Sequence, residues 1–357
     1  MITKDSINKI IKESINAPSG SNSQPWQFIV DGQKNNIKIK YLPHKDHPIL
    51  NYNNRGTLIA CGALIENILI TANYYGFSTE LNLFENFEND IIAEIILREG
   101  EPNYFAKNLF DYISKRTTNR KKFKKEIINQ NDKNYLFSDI SKYGNFKFYI
   151  KEEEPEINEL AQNLAYDTYL NFKNSKLHEI LFKEILFDDR KAKIGEQGLY
   201  IKTMEFPSIQ IPIIKLLKNR NFFEFLDKFI GISKSIYKDT VKMYSACGAL
   251  VAITLSNNQK DFINLGRLLE NIWLKITKLG LSLHLITGIL FFWQQANFGD
   301  KNIFNEDEKE LINKSYNEIK KIFNVNNEDI IGLIFRIGKS DPPSAKSTKK
   351  EPIIIFK

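Results

Sequence analysis

Cysteine is almost missing: Cys61 and Cys247 are the two in 357 residues. That excludes a disulfide framework and a cysteine-rich zinc site, and it makes a reducing compartment the expectation. Histidine is equally sparse, with four in the chain. His44 and His47 lie three apart in a proline-flanked loop with no third ligand nearby, so no metal centre is expected there. No run reaches the roughly 18 consecutive apolar residues of a membrane span, and the longest, 285–293, is interrupted by Thr287 and Gly288. The first residues carry Lys4, Asp5, Lys9, Lys12 and Glu13 where a signal peptide needs an apolar stretch. The expectation is a soluble cytoplasmic protein with no membrane partner. Glycine-rich nucleotide fingerprints, the Walker A loop, Gly-x-Ser-x-Gly and zinc-protease motifs are all missing. His178 and His284 sit in apolar surroundings that suit core histidines better than general bases.

What is present is enough for real cores: 42% hydrophobic and 26% charged residues, with a net charge of +7. The length suits two domains or one large one. Ile7, Ile10, Ile11 and Ile15 recur at helical spacing and predict a first helix that stops before Pro18. Two extended runs, 26–30 and 37–42, follow around an Asp31-Gly32 turn signal. A helix is predicted over 58–75, ending at Gly76, and a buried strand over 91–97.

A repeat organises the rest. Residues 62–78 read GALIENILITANYYGFS and residues 266–282 read GRLLENIWLKITKLGLS, coinciding without a gap at an offset of 204. Each copy precedes an Ile-rich segment ending in Arg-x-Gly, at 91–100 and 330–338. Two helices and two similarly terminated strands in the same order argue for duplication. The Ala-Cys-Gly-Ala-Leu shared by 60–64 and 246–250 is a decoy, since the first lies in a helix and the second leads into a strand. The modules are unequal: 1–107, shortened, and 108–357, which carries an insertion at about 150–240. That insertion holds aromatic amphipathic stretches near 160–172 and 222–229. Either it covers a site as a lid, or it braces the core.

Three segments carry polar chemistry. Residues 17–26, Ala-Pro-Ser-Gly-Ser-Asn-Ser-Gln-Pro-Trp, join a helix to a strand. They read either as an ordinary connection or as a polar loop for a planar ligand. Residues 115–125 hold seven cations and no acid. They read either as a solvated basic face or as an anion site, in which Arg116 and Arg120 share one face of a helix start. Thr118 between them then supplies a hydroxyl or a cap, and the planar arginine fork suits phosphate. The cluster Lys346-Ser347-Thr348-Lys349-Lys350 precedes the apolar residues 353–356, which argue for a docked final segment. The ten cations of these two basic clusters exceed the net +7, so the remainder of the chain is slightly acidic.

Taken together, these segments resemble the nitroreductase-like FMN flavoprotein superfamily, and within it the internally duplicated Acg-like branch. The matching residues are Ala17-Pro18-Ser19-Gly20 with Asn22, Gln24-Pro25-Trp26, the 61–64 helix start, Arg116-x-Thr118-Asn119-Arg120 with Phe123, and Arg336-x-Gly338 followed by Ser347 and Lys349-Lys350. The resemblance implies an α+β, nitroreductase-like fold, with mixed sheets flanked by helices and two fused modules forming a pseudo-dimer. It implies FMN as cofactor, with Arg116, Thr118, Asn119, Arg120, Ser347, Lys349 and Lys350 at the phosphate side. Pro18, Ser19, Gly20, Asn22 and Gln24 would line the ribityl chain or ring edge, with Trp26 in the core behind them. The N-terminus offers only Lys4-Asp5-Ser6 to a twin site, and no second Pro-Ser loop precedes 146–150. One complete FMN site in a monomer is therefore implied.

The implied activity is an oxidoreductase in which NADH or NADPH reduces the flavin at N5 and a small organic acceptor, such as a nitroaromatic or quinone, reoxidises it. No acid or base is named as catalytic. The rival reading is a flavin-sequestering protein with a lidded pocket. Nucleic acid is not expected as a partner, because the 115–125 run lacks interleaved aromatics.

Overall fold

The computed structural model describes residues 2–101, 104–256 and 258–357. The chain opens with α1 (Lys4–Ser14), β1 (Trp26–Asp31), β2 (Asn36–Tyr41), α2 (Arg55–Tyr74), β3 (Phe77–Leu83) and β4 (Ile91–Glu99). Next come α3 (Tyr104–Ile113), the basic segment, α4 (Gln130–Phe137) and β5 (Lys147–Lys151). The insertion is mostly helical: α5 (Glu154–Leu164), α6 (Tyr166–Lys173), α7 (Ser175–Glu184), β6 (Ile185–Leu186), α8 (Asp189–Lys193), β7 (Leu199–Tyr200), α9 (Ile211–Leu217), α10 (Arg220–Ile230) and α11 (Ile232–Tyr244). The chain then forms β8 (Ala249–Leu255), α12 (Gln259–Lys278), β9 (Ser282–Leu285), α13 (Gly288–Phe298), α14 (Glu306–Phe323), β10 (Ile330–Gly338) and β11 (Ile354–Phe356).

Two main sheets result, ordered β11-β1-β2-β4-β3 and β5-β8-β10-β9, beside a small β6-β7 pair in the insertion. Apart from β11, which joins β1 in parallel, every neighbour in the main sheets is antiparallel. With helices grouped around them, the architecture is α+β. The first sheet has one covered face, so β1 alternates Trp26, Phe28 and Val30 inward with Gln27, Ile29 and Asp31 outward. β8 is buried on both faces, which is why Ala249–Leu255 reads as a continuous apolar run. Val251 and Ile253 point toward the central helices, while Leu250 and Ala252 face the α5, α13 and α14 side.

The two repeat helices, α2 and α12, pack against one another between the sheets. Their contact is reciprocal at the repeat offset. A Cβ on Gly62 would lie 1.9 Å from the Ile263 carbonyl oxygen, and one on Gly266 would lie 2.0 Å from that of Ile59. Glycine at both positions lets the two backbones touch. The stretch Tyr52–Tyr74 is apolar and long enough to cross a membrane, and 83% of its most apolar 18-residue window (mean hydropathy 1.4) is buried inside this fold as a core helix.

The boundary expected at 107 falls inside α3, which packs on both α2 and α12. The expected docking of the last residues takes the form of β11, whose Ile354, Ile355 and Phe356 pair with Phe28, Ile29 and Val30. The chain's last strand thus completes the sheet built by β1 to β4. Lys4, one of the residues weighed for a twin site, lies over the Phe356 ring at 4.0 Å. The insertion has an apolar cluster of its own, built on Phe182, Ile185, Ile201, Ile214, Leu217 and Phe223.

Candidate functional site

A cavity of about 420 Å³ opens where the 16–22 loop, the start of α2, the basic segment, the insertion and the C-terminal tail converge. Its size is that of a small-molecule site. Pro18, Ser19, Gly20 and Asn22 line it, as do Arg116, Thr118, Arg120, Ser347 and Lys349.

The loop is held in an unusual backbone. Ser21, Asn22 and Gln24 have φ of 44°, 54° and 51°, left-handed values that non-glycine residues adopt only when their surroundings enforce them. The Gln24 N–H donates to Ser19 Oγ at 3.1 Å, and Ser21 Oγ donates to Glu184 on the insertion. Asn22 Nδ2 donates to the Thr348 carbonyl at 3.0 Å, and Lys349 Nζ donates back to Asn22 Oδ1 at 2.8 Å. Loop and tail are therefore one construction.

Two expected ligands do this holding instead of lining the cavity. Gln24 Nε2 donates to the carbonyls of Asn22 (3.1 Å) and Gly195 (3.0 Å), and its Oε1 accepts from the Lys350 N–H at 2.8 Å. Gln24 thereby ties loop, insertion and tail together. Lys350 contributes its backbone, and its side chain is exposed. Trp26 is in the core, as expected.

The basic segment is not a helix start. Beyond α3 it runs extended beside β9, bridged at Thr118 to Leu283. Arg116, Thr118 and Arg120 still share a side, because in extended chain alternate residues face the same way. The same alternation turns Asn119 away. Its Nδ2 donates to Ser282 Oγ (3.0 Å) and the Asp341 carbonyl (2.8 Å), so it anchors the segment and does not face the cavity. Arg336 completes the clamp from the core: it donates to the Lys121 carbonyl at 2.7 Å and to His284 Nδ1 at 3.2 Å. His284 and His178, whose Nε2 lies 3.0 Å from the Leu217 carbonyl, are both satisfied core residues.

Arg116 is buried, with its guanidinium 4.5 Å from the Trp273 ring and Nη2 donating to the Asn16 carbonyl at 2.6 Å. Its Nε is 3.2 Å from Glu270 Oε1 but out of hydrogen-bond alignment. Burial raises Glu270 to about 7, against the opposing pull of Arg116. Arg120 Nη1 donates to the Thr203 carbonyl at 3.0 Å. Burial lowers Lys349 to about 7, and Arg116 and Lys346 lower it further. Lys346, exposed overall with its Nζ on the Ser114 carbonyl, is brought down to about 8 by partial desolvation of that end and by Arg116. Arg116 thus depresses both lysines on a cavity wall that Arg120 also helps to line, and an anion there would relieve them.

Sequence reasoning missed the acids on the other walls. Asp46 and Glu184 line the cavity, and burial raises both. Asp167, from α6 in the insertion, is buried at the cavity wall and raised by that burial to about 6. It accepts from Thr168 Oγ1 at 2.9 Å and lies 3.3 Å from the Tyr244 hydroxyl. Nothing in the local sequence around Asp167 signals this, since its wall is built by α11 and the Thr287–Gly288 turn far along the chain.

Among solved structures, a nitroreductase with bound FMN from Bacteroides fragilis is 11% identical and covers 67% of this chain and 92% of that one, with a TM-score of 0.37. The FMN-dependent nitroreductase of Mycobacterium smegmatis, in complex with NADPH, is 12% identical over 66% of this chain and 89% of its own, also at 0.37. An iodotyrosine deiodinase bound to FMN and 3-iodo-L-tyrosine is 15% identical over 68% and 94%, again at 0.37. A curated relative, an uncharacterized protein of Mycobacterium tuberculosis, is 19% identical over 345 residues, 96% of this chain. That match covers 47% of the relative, so the chain spans about half its length. No family model matches. At these levels of similarity the cavity's own residues must carry the assignment.

Proposed function

We propose that the cavity holds one FMN and that the protein is an FMN-dependent oxidoreductase of the nitroreductase type. The observation that carries this reading is the presence of Arg116, Arg120, Lys346 and Lys349 on the lining of one cavity, with Arg116 coupled to both lysines, together with the loop of Pro18, Ser19, Gly20 and Asn22. The depressed lysines fit a phosphate: a dianion there restores the charged form of both and gives the two arginines fork-shaped partners. When bound, FMN supplies the two-electron redox chemistry.

The chain's own residues do the rest. Arg116, Thr118, Arg120, Ser347 and Lys349 hold the phosphate. Asn22 and the Ser19–Gln24 bond keep the 18–22 loop in its left-handed shape against the ligand. Asp167 keeps a proton on its carboxyl at pH values where an ordinary aspartate has lost it, up to about 6, and presents it to the cavity from under Tyr244. NADH or NADPH is the proposed reductant, and a small nitroaromatic or quinone the acceptor.

One site per chain is part of the proposal. Glu66 is the repeat mate of Glu270, but where Glu270 faces Arg116, Glu66 accepts from the Tyr143 hydroxyl at 2.6 Å and from Arg267 at 3.3 Å. Glu66 is thus taken up by Tyr143 and Arg267, in keeping with one site per chain in a monomer that imitates a dimer.

A second reading has its own observation. The insertion supplies Asp167, Asn171, Leu181, Glu184, Gln197 and Thr203 to the cavity wall, a cover suited to sequestering flavin without turnover. Anaerobic mixing of the flavin-loaded protein with NADH or NADPH separates the two. The oxidoreductase reading predicts bleaching of the flavin band and its recovery on adding a quinone. A band that persists through prolonged mixing with both nucleotides supports sequestration.

A further inference from the structure

Outside the cavity, the least conventional surface is on the insertion. Ile209, Ile213 and Leu216 are 84%, 50% and 57% exposed, and on α10 Phe225, Phe229 and Ile230 are 57%, 67% and 67% exposed. Their spacing is helical. Ile209, Ile213 and Leu216 fall on one side of the 208–217 stretch, about 100° round from Ile214 and Leu217, which are buried in the insertion's own cluster. On α10 the apolar sector is broad: Phe223 at its edge is buried, while Phe225 and Phe229, with ring centroids 4.7 Å apart, look outward. Each helix therefore carries one apolar side for the protein and a second with no protein against it. Monomeric surfaces seldom display so many large apolar side chains in one short segment.

Length and charge indicate what covers it. Ser208–Leu217 is apolar but far too short to span a bilayer, the length of a segment lying in the membrane interface. The two acids of α10 are already neutralised, Glu224 by Arg220 at 2.7 Å and Asp227 by Lys173 at 2.8 Å. Exposed Lys215, Lys218, Lys228 and Lys234 then set the sign of this face. Aromatic and aliphatic anchors bordered by lysines suit an anionic lipid surface. A second copy is a poor occupant, because a two-fold contact would set lysine against lysine.

We propose that the exposed apolar side of residues 206–230 docks the protein peripherally on anionic phospholipid bilayers. The expectation of no membrane partner rested on spanning segments, and a peripheral contact needs none. The patch begins three residues after Thr203, the cavity-wall residue that Arg120 binds, so docking brings that wall to the lipid surface.

Cosedimentation of the full chain with phosphatidylglycerol–phosphatidylcholine vesicles tests this. Binding is expected at low salt, with at least tenfold weaker partitioning onto pure phosphatidylcholine and a steep loss as salt rises. Ile209→Ser with Phe225→Ser and Phe229→Ser should reduce partitioning at least tenfold while circular dichroism and Tm stay native, since these side chains touch little protein. Lys218→Glu with Lys228→Glu, which leaves the apolar face intact, should do the same at low salt. Failure to bind anionic vesicles, or equal binding by either folded variant, overturns the proposal. So does a concentration-dependent dimer that the serine variant abolishes, which would assign the face to a second copy.

Discussion

Arg120→Ala combined with Lys349→Met is expected to weaken FMN binding by roughly 100-fold or more, two charge-assisted hydrogen bonds being worth about 3–6 kcal/mol together. The same variant should stay folded, because the bonds it loses, Lys349 to Asn22 Oδ1 and Arg120 to the Thr203 carbonyl, are set against relief of a disfavoured charge. Lys349 is held below its ordinary pKa by burial and by Arg116 and Lys346, so the folded state disfavours its charge. The sign follows from linkage. With the folded pKa near 7 and the unfolded one near 10.5, the native chain binds fewer protons between these values, and this lysine's contribution to stability rises with pH across that window. Methionine removes the penalty. Loss of binding in a variant that still melts cooperatively near the native Tm separates loss of the ligand's cations from loss of the fold. Bound phosphate should also restore the ammonium, so calorimetry at pH 8 should show proton uptake on FMN binding by the native chain. Fluorescence titration and a melting curve read the other two effects, and unchanged affinity would remove the basic cluster from the site. Arg116 is less suited to this test by itself, because its loss leaves Glu270 buried without its cation.

The largest stability effect is expected at the centre of the fold. Gly62→Ala or Gly266→Ala each drives a methyl group to about 2 Å from a helix backbone carbonyl, which no rotamer change relieves. The helices must separate, and a cost of about 3 kcal/mol or more is expected. In a thermal melt of a 357-residue chain that is a fall of roughly 4 °C or more. Because the contact is reciprocal, the two substitutions should be of comparable severity. A near-neutral Gly266→Ala would mean that α2 and α12 do not approach as closely as described.

Much of this architecture was legible because it is local or repeated. The isoleucine spacing of α1, the alternation in β1, the apolar β8 and the 204-residue offset all follow from period and composition. The offset also carried a three-dimensional consequence, since Gly62 and Gly266 are repeat mates that meet the carbonyls of another mated pair, Ile59 and Ile263. The site was legible in part. Arg116, Thr118 and Arg120 do share a side, though by the two-residue alternation of extended chain and not by a helical turn. That alternation is what excludes Asn119, and a basic run gives little indication of which period it will follow. The resemblance places Gln24 and Lys350 among the ligands, beside residues that do line the cavity. Their roles as ties depend on Gly195, which the insertion brings in from a distance. The acids Asp46, Asp167 and Glu184 were invisible for the same reason: each becomes unusual only through burial by segments remote in sequence.

The account rests on one FMN per chain at the basic end of the cavity. Titrating the purified chain with FMN and reading absorbance against bound flavin after gel filtration tests that most directly. One equivalent per chain, competed by inorganic phosphate and lost in the Arg120→Ala, Lys349→Met variant, is the predicted result. No retained flavin at any FMN concentration, or two equivalents per chain, would contradict it.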